Sequence, residues 1–363
     1  MNNFLTNRQI TFIMYCIIVG YGIINLPKNA AAAADTGGWI SIVLATIIFL
    51  IITYLLTYLQ YIYEGKTLYE YSTELVGKFI TYIFIIICTV YFFTFFSMLV
   101  RLYCETIKAT ILPKTPVLYL SLLFYIVIFY ALTKGINVIA RMCEIYGTLS
   151  IISFIFINSI IFTQGKTINL RPFFAVSDIM MYLKAIPKMI LPLLGMEVLL
   201  FLPISKTKNS NIFKYTILTV GFIGLLYIFV VESTTSVVGV DSIVIHKANV
   251  FSIIRGVDVP FLEFLRRLDG VYIGVWTMNV ICACSLWAYG TTTFLNKLLK
   301  KAQHKHLAFA VILLSFVVSQ TPKTTEQVEK IIDYTSYFGV LVFFVIPVIL
   351  LTITKVKKHV NKI

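Results

Sequence analysis

Charge is what this chain has least of: only 13% of its 363 residues are Asp, Glu, Lys or Arg, about half the share usual in soluble domains. That scarcity excludes an ordinary water-soluble fold. Histidine is scarce too, with four residues, and no His/Glu or Cys/His pair has the spacing of a metal site. No nucleophile stands beside a base and no glycine-rich phosphate loop is present, so the chain is not expected to be an enzyme, to bind a metal or to carry a cofactor. Loops long enough to form a second domain are also missing. The net charge of +14 would suggest nucleic acid on a soluble protein, but here the basic residues are dispersed over short loops, as topology signals are.

Apolar residues make up 59% of the sequence and the mean hydropathy is +0.91. Ten runs are long enough to cross a hydrocarbon core of about 30 Å as helices: residues 9–34, 38–60, 79–104, 116–133, 138–163, 185–204, 212–236, 269–295, 306–320 and 332–354. The lipid bilayer is therefore the first expected partner, and an all-helical, multi-pass membrane protein the expected fold class. Residues Met1 to Arg8 run straight into the first span without a small-residue cleavage site, so no cleavable signal is expected. Lys and Arg are slightly in excess on the loops that share a side with the N-terminus, and the two long opposing loops, 164–184 and 237–268, weigh little in orientation. Both termini are expected in the cytoplasm. All six cysteines fall within spans, where a thiol packs as a small apolar group. Cys282 and Cys284, two apart on a helix, point about 200° from each other and cannot share a metal as a pair.

Two spans are interrupted. The first contains Gly20-Tyr21-Gly22 and then Leu26-Pro27; the sixth contains Pro187, Pro192, Gly195 and Pro203. Each opens one half of the chain, and a pair of Gly/Pro-broken segments in corresponding positions points to a binding site at the bilayer midplane. Five spans per half put the second half in the membrane upside down relative to the first. The expected architecture is a single polytopic domain, 1–363, built as a 5+5 inverted repeat, with repeats at about 8–164 and 180–356 and discontinuous helices 1 and 6. Two further segments are amphipathic: Leu68, Tyr71, Leu75 and Phe79 oppose Glu70, Glu74 and Lys78, and Phe261, Phe264, Leu265 and Leu268 share one face of 260–268.

Unwound backbone inside a membrane must line a cavity or meet a partner. Gly20 and Gly22 permit the unwinding, and Pro27 suits the first turn of an outer half-helix whose positive end favours a carboxylate; the same glycines also suit close helix packing. Glu197 lies in the middle of span six, where an ionisable group is a functional candidate by default. It can bind a ligand ammonium, take up a proton, or hydrogen-bond the freed backbone of span one. Span three carries Tyr91, Thr94, Phe95, Met98, Arg101 and Glu105 on one stripe, with Arg101 and Glu105 spaced to pair. Glu144 in span five and Glu232 in span seven are further carboxylates, with Arg101 or Arg141 as candidate partners. Span eight offers Ala283, Trp287, Gly290 and Thr291.

These residues resemble the spore germination permease-like proteins, the B subunits of nutrient germinant receptors. The likeness runs through Thr6-Asn7-Arg8-Gln9, Gly20 to Pro27, Gly38-Trp39, Asn169-Leu170-Arg171-Pro172 and, most specifically, Leu194-Gly195-Met196-Glu197-Val198-Leu199-Leu200-Phe201-Leu202-Pro203. It implies a ten-helix, LeuT-like fold of the amino acid-polyamine-organocation superfamily, residence in the spore inner membrane, and A and C subunits as partners. It also implies a bound nutrient such as an amino acid at Gly20, Tyr91, Phe95, Leu194, Ala283 and Trp287, to which the interrupted segments add Tyr21, Gly22, Gly195 and Glu197. Alternative readings are a proton-coupled amino-acid transporter working through Glu197 or Glu144, and an ion- or water-conducting subunit with a path along Arg101, Glu105 and Glu144.

Overall fold

The computed structural model describes residues 4–245, 250–256, 268–299 and 303–360. Helix α1 (Asn7–Gly22) starts at a reciprocal cap: Gln9 N–H donates to Thr6 Oγ1 at 3.2 Å, and Thr6 N–H donates to Gln9 Oε1 at 3.1 Å. It stops where the sequence predicts, and α2 (Leu26–Ala34) restarts the span with Pro27 in its first turn. Helix α3 (Gly38–Ile62) returns across the membrane. Helix α4 (Leu68–Thr110) is two segments joined at Gly77, whose φ of +81° only glycine adopts readily. The first is the expected amphipathic helix, on which Leu68 and Tyr71 are fully buried; Phe79 lies past the kink and is 79% exposed, so it does not belong to that face.

Helices α5 (Val117–Lys134) and α6 (Ile136–Thr163) complete the first half. The second begins with α7 (Ile179–Ile190), which gives way to 3₁₀ turns at 191–193 and 196–201. Proline explains the loss of α-helix, since Pro192 and Pro203 have no N–H for the carbonyl four residues back. Then follow α8 (Ile212–Val238), the short α9 (Val240–Ile245) and α10 (Val250–Gly256), α11 (Leu268–Leu298), α12 (His304–Ser319), α13 (Thr325–Val340) and α14 (Ile346–Val360). Between the last two lies a π-helical turn, Leu341–Val345, placed just before Pro347, which cannot continue the ladder to Phe343. Of the amphipathic segment expected at 260–268, residues 260–267 lie outside the described residues.

No strand occurs among the described residues. Seven helical stretches there are long and apolar enough to cross a bilayer, with α2 continuing into α3 and α13 into α14. The other expected spans are shorter or broken: α1 and α12 have 16 residues each and α7 has 12. Ile51, Leu123, Ile145 and Leu225 are each more than half exposed, which suits side chains that face lipid tails rather than water. The packed centre is α1. It touches α6, α8 and α11, and its residues from Ile13 to Val19 are almost completely buried.

Candidate functional site

The interrupted segments meet at the middle of the molecule, and their freed carbonyls are met by side chains from other helices. Trp276 Nε1 on α11 donates to Gly20 O at 3.0 Å. The Tyr227 hydroxyl on α8 sits 2.9 Å from Pro192 O and 3.1 Å from Ile18 O, bridging one interruption to the other. Val250 N–H, at the start of α10, donates to Ile24 O at 3.3 Å. Unpartnered groups at this depth cost several kcal/mol each, so these contacts are what makes the unwinding tolerable. Gly20 is required by proximity: a Cβ there would lie 2.8 Å from both Ala283 Cβ and Asn279 O. At Gly22 it would collide with the Tyr227 hydroxyl and Pro192 O.

Glu197 is completely buried. The Tyr91 hydroxyl donates to its Oε1 at 2.5 Å, and Gly195 N–H donates to its Oε2 at 2.9 Å. Gly195 has a φ of +134°, which turns the chain so that its own N–H points back at the carboxyl. Span one is not the partner of Glu197 among the described residues; span three and the Gly195 turn are. Around this pair stands an aromatic wall. Tyr91 and Phe95 contact the Trp287 ring at 5.6 and 5.1 Å between centroids, and Tyr21 meets Phe95 edge-on at 5.2 Å. Such pairs contribute about 0.5–1.5 kcal/mol beyond burial, and Tyr91, Phe95 and Trp287 are themselves fully buried.

The structure thus brings Gly20, Tyr21, Gly22, Tyr91, Phe95, Leu194, Gly195, Glu197, Ala283 and Trp287 into one neighbourhood built from α1, α4, α11 and the broken sixth span. It splits the ion-path candidates, keeping Arg101 with Glu105 and placing Glu144 apart from them. Arg101 Nη2 lies 2.8 Å from Glu105 Oε1, and Nη1 reaches Ser319 O and Gln320 Oε1 at 3.3 and 3.2 Å, so Arg101 holds the C-terminal end of α12. Glu144 is elsewhere, 3.4 Å from Arg8 Nε at the start of α1, rather than with Arg101 or Arg141. Glu232 is partly exposed on α8.

Three features in and around the site carry little local sequence signal. Trp276 and Tyr227 act on carbonyls of other spans, and the only hint is that a donor buried in an apolar helix needs an acceptor. Asn279, one turn from Ala283, is fully buried with neither amide atom hydrogen-bonded. The third is the grouping of Cys16, Cys143 and Cys282, far apart in sequence, whose sulfurs all lie within 4.8 Å of one another.

Discontinuous helices facing each other, with an ionisable residue and an aromatic cluster beside them, define a polytopic membrane protein of LeuT-like architecture. The fold is similar to that of MhsT, solved in complex with L-phenylalanine: the TM-score is 0.65 at 12% sequence identity, covering 95% of this chain and 97% of that one. Residues 4–328 match the family model described as spore germination protein, and the chain belongs to that family. Relatives in Bacillus subtilis (strain 168) include spore germination protein YndE, 23% identical over 99% of this chain and 98% of YndE, and spore germination protein A2, 27% identical over 95% and 93%.

Proposed function

We propose that this chain is the membrane-embedded, nutrient-sensing subunit of a germinant receptor, and that it binds an amino acid at the junction of the two interrupted spans. The observation that carries this reading is the buried Glu197, held by Tyr91 and by the Gly195 backbone beside unwound α1. An ionisable group and freed backbone are maintained there at a cost that packing alone does not require. The N-terminal end of α2 suits the ligand carboxylate, and Glu197 suits its ammonium. Tyr21, Phe95 and Trp287 suit an apolar or aromatic side chain; the phenylalanine bound by MhsT in the same fold agrees with that choice. We place the chain in the spore inner membrane with both termini cytoplasmic, working with A and C subunits. The repeats are assigned to about 8–164 and 180–356.

Sensing requires that the ligand favour one conformation over another, and it shifts the balance only by its differential affinity. Tyr91→Phe tests the site gently: the ring and its contact with Trp287 stay, and only the hydroxyl that meets Glu197 is lost. The nutrient concentration giving half-maximal germination is expected to rise about 10-fold or more, as for one lost hydrogen bond to a charged group, with the protein level in spores unchanged on an immunoblot. An unchanged dose response would remove Tyr91 from the site. A proton-coupled transporter using the same carboxyl is the second reading; uptake of labelled amino acid into vesicles, abolished by collapsing the pH gradient, would support it over sensing alone.

A further inference from the structure

We propose that Cys16, Cys143 and Cys282 form a thiol site for a soft monovalent cation of the Cu(I) class, buried within the membrane and separate from the nutrient site. Each sulfur comes from a different helix, α1, α6 and α11, and these three helices pack pairwise on one another. All three side chains are fully buried, and their sulfurs converge to within 4.8 Å of one another. A trigonal centre with metal–sulfur bonds of about 2.3 Å needs sulfurs about 4.0 Å apart, so closing on an ion takes shifts of less than about an ångström. Gly147, one turn after Cys143 on α6, lets α1 approach closely: a Cβ there would lie 2.6 Å from Phe12 Cδ1 and 3.2 Å from Cys16 Sγ.

Chemistry selects the ion. Sulfur-only ligation favours soft metals, Cu(I) and Zn(II) foremost among those available to proteins. Zinc in a closed structural site takes four ligands, whereas among the described residues this group holds three Cys and no His, Asp or Glu. Cu(I) accepts two or three sulfurs. Cysteine binds metal as the thiolate, so each coordinating thiol releases its proton to solvent on loading. At present the Cys16 thiol points at the Cys143 carbonyl, 3.6 Å away, a weak contact that coordination would replace.

Position gives the site a consequence. Cys16 lies one helical turn before Gly20, where α1 unwinds, and Ala283, next to Cys282, is the residue that Gly20 packs against. An ion tying Cys16 to α6 and α11 would hold the first half of α1 against the rest of the bundle. Loading would therefore favour the conformation described here over any in which α1 moves.

The experiment is an anaerobic titration of the purified full-length protein with Cu(I), competed against a chromophoric chelator, with X-ray absorption at the copper edge of the loaded protein. One equivalent is expected, with only sulfur in the first shell at about 2.3 Å, and with a rise in Tm on loading. Cys16→Ser, Cys143→Ser and Cys282→Ser should each weaken binding about 100-fold or more, since each removes a third of a soft-ligand set. Cys88→Ser, Cys104→Ser and Cys284→Ser should leave it unchanged. The proposal is overturned if folded wild-type protein takes up no Cu(I), if nitrogen or oxygen fills the first shell, if the triad variants bind as wild type does, or if two of the three cysteines are recovered as a disulfide that excludes the ion. The absorption spectrum needs only the wild-type chain, so a variant that fails to fold leaves the test intact.

Discussion

Replacing Glu197 with glutamine is expected to cripple the nutrient response, raising the effective concentration about 10- to 150-fold, while the protein still accumulates in the spore membrane. Both expectations follow from the two contacts of the carboxyl. Tyr91 Oη and Gly195 N–H each approach one oxygen. Glutamine keeps an acceptor for the glycine N–H, and its amide can donate to the tyrosine oxygen once that hydroxyl turns, so the local fold survives. What is lost is the capacity for charge, and a ligand ammonium deprived of a charged partner forfeits about 1.5–3 kcal/mol. Glu197→Ala is the harsher change. It leaves two buried donors unmet at about 1–3 kcal/mol each and opens a cavity besides, so protein level should fall together with response. Germination curves of spores carrying each variant, read beside immunoblots, separate the two effects. A glutamine variant that responds like wild type would mean that Glu197 holds backbone and does nothing further.

Gly195→Ala is expected to remove the protein almost entirely. Its φ of +134° lies where side-chain-bearing residues rarely go, which costs about 1–2 kcal/mol. The added Cβ would also sit 2.9 Å from Ile17 Cγ2, 3.0 Å from Ile18 Cγ1 and 3.2 Å from Ile18 N. Two of those are side-chain atoms able to yield; the third is backbone of α1, and moving it disturbs the junction on which the site depends. Together these costs reach the several kcal/mol that unfold many domains. Gly221→Ala is the control. It is interior to α8 with no heavy atom within 4 Å of its Cβ, so the gain in helix propensity, about 1 kcal/mol, is free to show. Detergent-extracted protein should be undetectable or unfolded for the first variant, and as stable as wild type or slightly more so for the second. Normal levels of the Gly195 variant would show that the turn is not needed in that form.

Much of this site can be read from the chain because its signals are local. Gly20, Gly22 and Pro27 announce an interruption by their own backbone chemistry, and Pro192 with Pro203 does the same in the sixth span. Glu197 is conspicuous because a carboxyl in an apolar run needs an explanation. The kink at Gly77 separates two segments whose periodicities differ, so the amphipathic helix before it is visible too, although Phe79 falls on the wrong side of the turn. What resists reading is pairing between helices far apart in sequence. Arg101 and Glu105 advertise each other by spacing, yet nothing nearby indicates that Arg101 also holds Ser319 O and Gln320. Glu144 pairs with Arg8 because the start of α1 lies beside α6, a tertiary fact. Tyr227 and Trp276 belong to the same category: each looks like one more aromatic in an apolar helix until the carbonyl it serves is brought to it. The three cysteines are the extreme case, since every one of them alone is an ordinary small packing residue.

The central claim is that an amino acid binds where the two interrupted spans meet. Thermal unfolding of the purified protein with each of the twenty amino acids tests it most directly, for wild type and for Glu197→Gln in parallel. The account predicts a dose-dependent rise in Tm of wild type with the same amino acid that triggers germination, following the linkage between binding and stability, and no rise for the glutamine variant. An equal rise in both proteins would place the ligand elsewhere, and a germinating amino acid that shifts neither would contradict binding to this chain.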